Sequence, residues 1–446
     1  MKRFRTEQPL HETTWLERML QYSDLRLDGF IVALYIPPET IPSVLIAVTL
    51  FIVSIFFSTW QNAIGSFLQL ALAPIVIYYL LDFGYGPYEI SRVGVEAGLA
   101  TITVYYIMKI LDTTFIGLLD DEPPCWVVDE KKMPLPQTII GRLAYALDLA
   151  TSLRGNSWFA NTHWDWAPKA LVETRVVSRL HFVVTESLTL VPLYLTLDAL
   201  DVIAKSRTWD TTNPFPITSL SWPEQMIFST TVCAQTTVGM SISYTLTAVP
   251  FVLMGSRPEN WPPLFHSPFS ATSLTDFWTK RWHAIFRRVF LRLSSVILRI
   301  LPIRTNQTSQ PSTAERIIRF IPVFALSAAL HILVIYRIDM RQPDGGRNIF
   351  PDPSILKFFL AQPLGMAIET LVVLPACNAS VPLRWRGTVM RIWTWIFLLW
   401  SGRFWSDVWI NRGFWEPKER AVGWSIVRGV LYGHWKAWKS NMMLNK

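Results

Sequence analysis

Only three cysteines occur in the 446 residues, Cys125, Cys233 and Cys377, far apart and without a CxxC pair. No disulfide framework and no zinc spacing follows from them, and no metal is expected. A GxxxxGKS phosphate loop, an HExxH zincin motif and a GxSxG nucleophile elbow are equally missing, and none of the seven histidines begins an HxxxD. The soluble chemistries those motifs carry are set aside. Residues 1–27 lack the short apolar core and small-residue cleavage site of a secretory signal, so the first apolar run is expected to act as a signal anchor. Charge is scarce at 17% of residues, and no internal repeat or low-complexity tract breaks the chain.

What fills the space is apolar. With 51% hydrophobic residues, the chain has more greasy surface than one soluble core of ordinary proportions hides, and it reads as a membrane protein. Twenty-one tryptophans, many beside arginine or lysine, suit the headgroup belt, where an amphipathic ring and a snorkelling cation sit together. The net charge of +8 fits an anionic cytosolic leaflet better than nucleic acid in so apolar a chain. The expected partner is therefore the lipid bilayer, with no nucleic acid.

Charge-free or charge-poor runs place the spans. Ile41 to Phe57 is long enough, at about 1.5 Å per residue, nearly to cross a ~30 Å hydrocarbon layer. Ala63 to Leu81, Val93 to Ile110, Ser178 to Leu197, Met226 to Met254, Ile317 to Tyr336, Ile355 to Cys377 and Val389 to Ile410 repeat the pattern. The expected fold is an all-α polytopic membrane protein of roughly eight transmembrane helices. It is divided into an N-terminal cytosolic or interfacial segment (1–40), a multi-span domain (41–410) and a C-terminal tail (411–446). Asp120 to Trp166, rich in acids and prolines, reads as an extramembrane loop with one amphipathic element, and its HWDW (His163 to Trp166) is given no catalytic role.

Gly255 to Arg316 is the polar centre of the chain, with nine cations against Glu259, Asp276 and Glu315. The positive-inside rule puts it in the cytosol, so the sequon at Asn306 is expected to stay unglycosylated. Within it, Ala284 to Leu301 reads as an amphipathic or re-entrant helix at the cytosolic interface rather than a full span, with Arg288, Arg292 and Arg299 on one side. A flexible linker, RTNQTSQPSTAE, follows.

Two histidines stand out. His331 lies mid-span in FIPVFALSAALHILVIY, where lipid offers no hydrogen bonds and an ionisable group is a functional hypothesis by default. The structural alternative is a neutral imidazole satisfied by a neighbouring helix. His283 closes SLTDFWTKRWH, in the company of Asp276, Trp278, Arg281 and Trp282. Acyl transfer to an alcohol needs a base for the hydroxyl proton and donors for the oxyanion, and histidine is the side chain suited to the first near neutral pH. Buried His331 fits the base and His283 a donor, while the basic loop could hold the phosphates of coenzyme A. Glu369, a charge inside a span, is a candidate partner for a histidine or for substrate, and Glu186 a weaker one.

Four blocks in order then carry a likeness: LDLATSLRGNSW (Leu147 to Trp158), SLTDFWTKRWH (Ser273 to His283), FALSAALH (Phe324 to His331) and FFLAQPLGMAIE (Phe358 to Glu369). Together they resemble the membrane-bound O-acyltransferase superfamily, most closely its fungal wax-synthase-like branch. Thr279 and Lys280 stand where that branch has Gly and Arg, and Ala328 where it has Gly. The resemblance implies an acyltransferase helix bundle with a motif core at 147–369. It implies that His331 is the near-invariant catalytic histidine, and that His283 stands where many relatives carry asparagine. Substrate or acyl-CoA contacts are implied for Asp276, Trp278, Arg281, Trp282 and Glu369. No bound cofactor is implied. Acetyl-CoA would be the co-substrate and a lipophilic alcohol, such as a terpenoid secondary metabolite, the acceptor, at the endoplasmic reticulum membrane. A long-chain wax-ester or sterol-ester synthase is the rival within the class, and a transporter or non-catalytic scaffold the rival outside it. The paired half-helices and inverted repeats expected of a transporter are not seen.

Overall fold

The structure, a computed structural model, describes residues 37–88, 93–159, 161–168, 177–207, 209, 215–300, 313–340, 352–416, 422–433 and 435. The expected N-terminal segment up to residue 36, the linker with Asn306 and the end of the tail lie outside the described residues.

Eleven helices are named α1 Ile41–Ser58, α2 Ala63–Tyr85, α3 Val93–Ile110, α4 Ile139–Thr151, α5 Arg179–Ala204, α6 Trp222–Leu253, α7 Arg287–Ile300, α8 Thr313–Asp339, α9 Pro353–Ile368, α10 Leu374–Ser380 and α11 Leu383–Ile410. Seven helical stretches are long and apolar enough to cross a membrane. The stretch expected as the eighth span is a helix, α11, of 28 residues, but it is not one of those seven. Its arginines, Asp407 and tryptophans keep it outside the purely apolar set. Start signals are local. Asn62 accepts from the Gly65 N–H at 2.8 Å ahead of α2, and Ser221 with Glu224 forms a reciprocal capping box ahead of α6.

Packing runs as one series, α4 on α1, then α2, α3, α8, α9, α11, α6 and α5, with α7 laid across α3 and α8. Outward faces stay apolar, as at Leu45, Phe67, Leu188 and Leu364, which suits lipid as the solvent. Helices α9 and α11 meet through a glycine, since a Cβ on Gly365 would lie 2.3 Å from the Phe397 ring.

The extramembrane stretch departs from expectation. Besides its one helix, α4, it holds a three-stranded antiparallel sheet, β1 Trp126–Val128, β2 Lys131–Lys132 and β3 Thr162–Trp164, in the order β2-β1-β3. The β1–β2 register pairs Val127 with Lys132, and the two residues between the strands, Asp129 and Glu130, both have positive φ (46° and 64°). That is the backbone of a tight hairpin, made here without the Asn-Gly that normally signals it. Trp164 on β3 is completely buried and packs edge-on to Tyr145 of α4, so the sheet and helix share one core. Buried Lys109 of α3 donates to the carbonyls of Ala150 and Ser152, each at 2.8 Å, and thereby fastens the end of α4.

Candidate active site

The segment before His283 is locked by its own side chains. Ser273 accepts from the Asp276 N–H at 2.8 Å and starts a single turn, Leu274–Asp276, which passes into a π-helical stretch, Phe277–Arg281. Local π-helical winding often marks functional sites. Asp276 and Arg281 form an ion pair at 2.5 Å, and Arg281 also donates to the Ser267 carbonyl at 3.1 Å. Glu369, at the end of α9, accepts from the Leu274 N–H at 2.9 Å. Trp278 donates to Gln362 at 3.1 Å, and Gln362 donates to Ser401 on α11. Trp282 stacks on Phe277 at 5.3 Å. All five residues singled out beside the histidines thus bond or stack with one another or with neighbouring helices. Glu369 is bonded to backbone rather than to either histidine, and Glu186 lies apart, accepting from Thr245 at 3.0 Å between α5 and α6.

His283 is half-buried between Phe265, Trp282 and Phe286, and its Nδ1 has no partner among the described residues. Burial pushes its imidazole down to about 3, helped by the positive charges that His331 and Arg154 can present to it. The ring is therefore neutral at physiological pH. The same effect shows that the structure brings both histidines and Arg154 into one electrostatic neighbourhood, although the histidines are 48 residues apart in the chain.

His331, on α8, donates from Nδ1 to the Ser327 carbonyl of its own helix at 2.7 Å. A carbonyl accepts only, so this bond puts the proton on Nδ1 and leaves the Nε2 lone pair open. Phe359 of α9 stacks on the ring at 4.7 Å, and Trp405 of α11 meets it edge-on at 4.9 Å. Three helices thereby set the orientation of one imidazole. The carbonyl that satisfies this ring belongs to α8 itself rather than to a neighbouring helix.

Arg154 is the residue that sequence reasoning passed over. It follows α4 and is nearly buried, donating to the carbonyls of Pro262 and Pro263 and to the Tyr244 hydroxyl at 2.6 to 3.0 Å. Gly155, at φ 95°, makes the bend that only glycine adopts cheaply, and a Cβ there would lie 2.6 Å from Ala167. Asp148 holds the rest of the loop by accepting from Ser157 and the Trp158 N–H. The available signal was an Arg-Gly pair in a loop between apolar elements. On α7, Arg288 and Arg292 both pair with buried Asp112 at the end of α3, at 2.6 and 2.8 Å, and Arg292 also pairs with Asp120.

Residues 261–360 match the profile of the membrane bound O-acyl transferase family. The chain is 34% identical to acetyltransferase ataH of Aspergillus terreus over 36% of its length and 50% of that relative. It is 25% identical to acetyltransferase aurG of Calcarisporium arbuscula, over 61% of this chain and 66% of the relative. It is 24% identical to acetyltransferase ple2 of Rhodocybe pseudopiperita, over 74% and 82%. The chain thus spans about half of the first of these relatives and just under two thirds of the second.

Proposed function

We propose that this chain, whose residues 261–360 match the membrane bound O-acyl transferase profile, transfers an acetyl group from acetyl-CoA to a hydroxyl of a lipophilic alcohol. A terpenoid or similar secondary metabolite held among the helices is the acceptor we favour, and the endoplasmic reticulum the membrane. The names of the relatives support the reaction class.

In this reading His331 Nε2 takes the hydroxyl proton as the acceptor oxygen attacks the thioester carbonyl carbon. The new C–O bond forms as the carbonyl becomes an oxyanion, and a donor from neutral His283 stabilises that charge. Collapse of the tetrahedral intermediate breaks the C–S bond, and the departing thiolate takes the proton back from His331. The observation that carries the assignment is the contrast between the rings. One has its Nδ1 committed to the Ser327 carbonyl and its Nε2 open, while the other has an Nδ1 with no partner among the described residues. Asp276, Arg281, Trp278, Trp282 and Glu369 act by fixing the segment that presents His283.

Membranes containing the protein, supplied with labelled acetyl-CoA or palmitoyl-CoA and extracted lipophilic alcohols, test the reading. Label should pass from acetyl-CoA into an ester. Transfer from palmitoyl-CoA alone would make the chain a long-chain ester synthase. Transfer from neither, with the protein abundant and folded, would leave a scaffold or transporter.

A further inference from the structure

Arg412 lies just past α11, in the stretch expected as a C-terminal tail, yet it is bonded to the ends of two other helices. Its Nε and one Nη form a fork on Asp339, the last residue of α8, at 2.6 and 3.0 Å. The other Nη donates to Asp352 at 2.8 Å and to the Val408 carbonyl of α11 at 3.1 Å. Asp352 is the N-cap of α9, and its second oxygen accepts from the Ser354 N–H at 2.8 Å. One guanidinium thus joins α8, α9 and α11. Those helices carry His331, Phe359 and Trp405, and each of the three rings lies seven or eight residues from the joint, about 10 to 12 Å along a helix axis. Toward α3, α8 is held by buried Arg337, which pairs with Glu96 and donates to the Gly86 carbonyl at 2.8 Å.

We propose that Arg412 is a positioning residue for acyl transfer: it sets α9 and α11 against α8 so that Phe359 and Trp405 hold the His331 ring in place. The proposal rests on the reading of His331 as the base. Helices α8 and α11 each pack mainly on α9, so the edge-on contact of Trp405 with His331 joins two helices whose relative placement depends on a third. The fork on Asp339 ties them directly. A bidentate guanidinium–carboxylate pair fixes angle as well as distance. The three side chains are 14 to 20% exposed, so water weakens the attraction and the joint adds little to stability. Its effect is geometric, and a displacement of about 1 Å at a reacting group can cost about 10²-fold in rate.

The test uses full-length protein in lipid nanodiscs, with Arg412→Gln, Arg412→Lys and, as a control, Arg207→Gln, which breaks an exposed pair with Glu224. In turnover Arg412→Gln should lower kcat about tenfold to 10²-fold while KM for acetyl-CoA stays unchanged. Arg412→Lys keeps the charge but not the fork, and its kcat should fall between. Carbethoxylation of His331 by diethyl pyrocarbonate, located by mass spectrometry, follows the same ring without catalysis. The ring should react severalfold faster in Arg412→Gln than in the unaltered protein or in Arg207→Gln, with melting temperatures nearly equal. Unchanged reactivity of His331 overturns the proposal whatever the rate, and so does a normal kcat. Should Arg412→Gln fail to fold, Arg412→Lys and Asp352→Asn each remove part of the joint, and normal reactivity in both overturns it. If the unaltered protein transfers no acyl group, the acyl-transfer reading fails, and the reactivity of His331 alone decides whether Arg412 positions the ring.

Discussion

Ser327 and His331 stand one helical turn apart, and the carbonyl of the first holds the Nδ1 proton of the second at 2.7 Å. The bond gives the imidazole one tautomer and one free nitrogen. His331→Ala should lower acyl transfer about 10²-fold or more while leaving the protein in the membrane, because a positioned base is worth at least that much in rate. Rates per molecule of membrane protein provide the measurement. Near-normal turnover removes His331 from the site, and loss of protein points to a structural role.

His283 is predicted to behave differently. Asparagine can donate a hydrogen bond but cannot act as a base near neutral pH. His283→Asn should therefore keep measurable activity, whereas His283→Ala should lose about 10² to 10³-fold, the scale of one oxyanion donor. Equal inactivity of both variants beside an active His331→Ala enzyme would exchange the two roles.

The buried ring of His283 also sets a pH dependence. Its folded value, pushed down to about 3, lies below the unfolded value of 6.5. The unfolded chain then binds the extra proton first, so this stabilisation is complete above 6.5 and fades as pH falls toward about 3. Melting temperatures should fall on acidification from about pH 7 to about pH 4.5, and fall less in His283→Asn, which has no ring to protonate. Parallel melting curves would show that the ring is not buried in solution.

Asp112 is expected to be the costliest single carboxylate to remove. Fully buried, it faces both Arg288 and Arg292, and Asp112→Asn leaves two guanidiniums around a neutral amide. About 3 to 5 kcal/mol should be lost, as for other buried pairs stripped of one partner. Chemical denaturation in detergent measures it, and a loss below about 1 kcal/mol would mean that water already screens the cluster.

Gly365→Ala probes the support of the site from behind. Its Cβ would fall 2.3 to 2.7 Å from three Phe397 ring atoms, forcing α9 and α11 apart at a cost of about 1 to 3 kcal/mol. Phe359 and Trp405, which grip His331, ride on those helices, so turnover should fall along with stability. A variant with unchanged melting and turnover would show that the helices shift freely.

The spans were readable because runs such as Ile41 to Phe57 carry no charge, and lipid leaves helices little alternative. His331 stood out for the same reason, as the lone imidazole in an apolar run. The hairpin at Asp129 and Glu130 was hidden because its left-handed residues are not the usual Asn-Gly. The inward pairing of Arg288 and Arg292 was hidden because helical periodicity shows that cations share a side but not what that side faces. The partners of Arg154 were hidden because carbonyls and one hydroxyl 90 or more residues away leave no pattern in the chain.

Lys109 bears on how substrates travel. Its ammonium holds the last carbonyls of α4 in a fully enclosed position, so lifting the sheet and α4 away from α3 would strand a cation and two carbonyls at once. Such a bolt makes that side of the molecule a wall rather than a door. In the proposed reaction, a lipophilic acceptor would enter at the seams between neighbouring helices, where only side chains have to part.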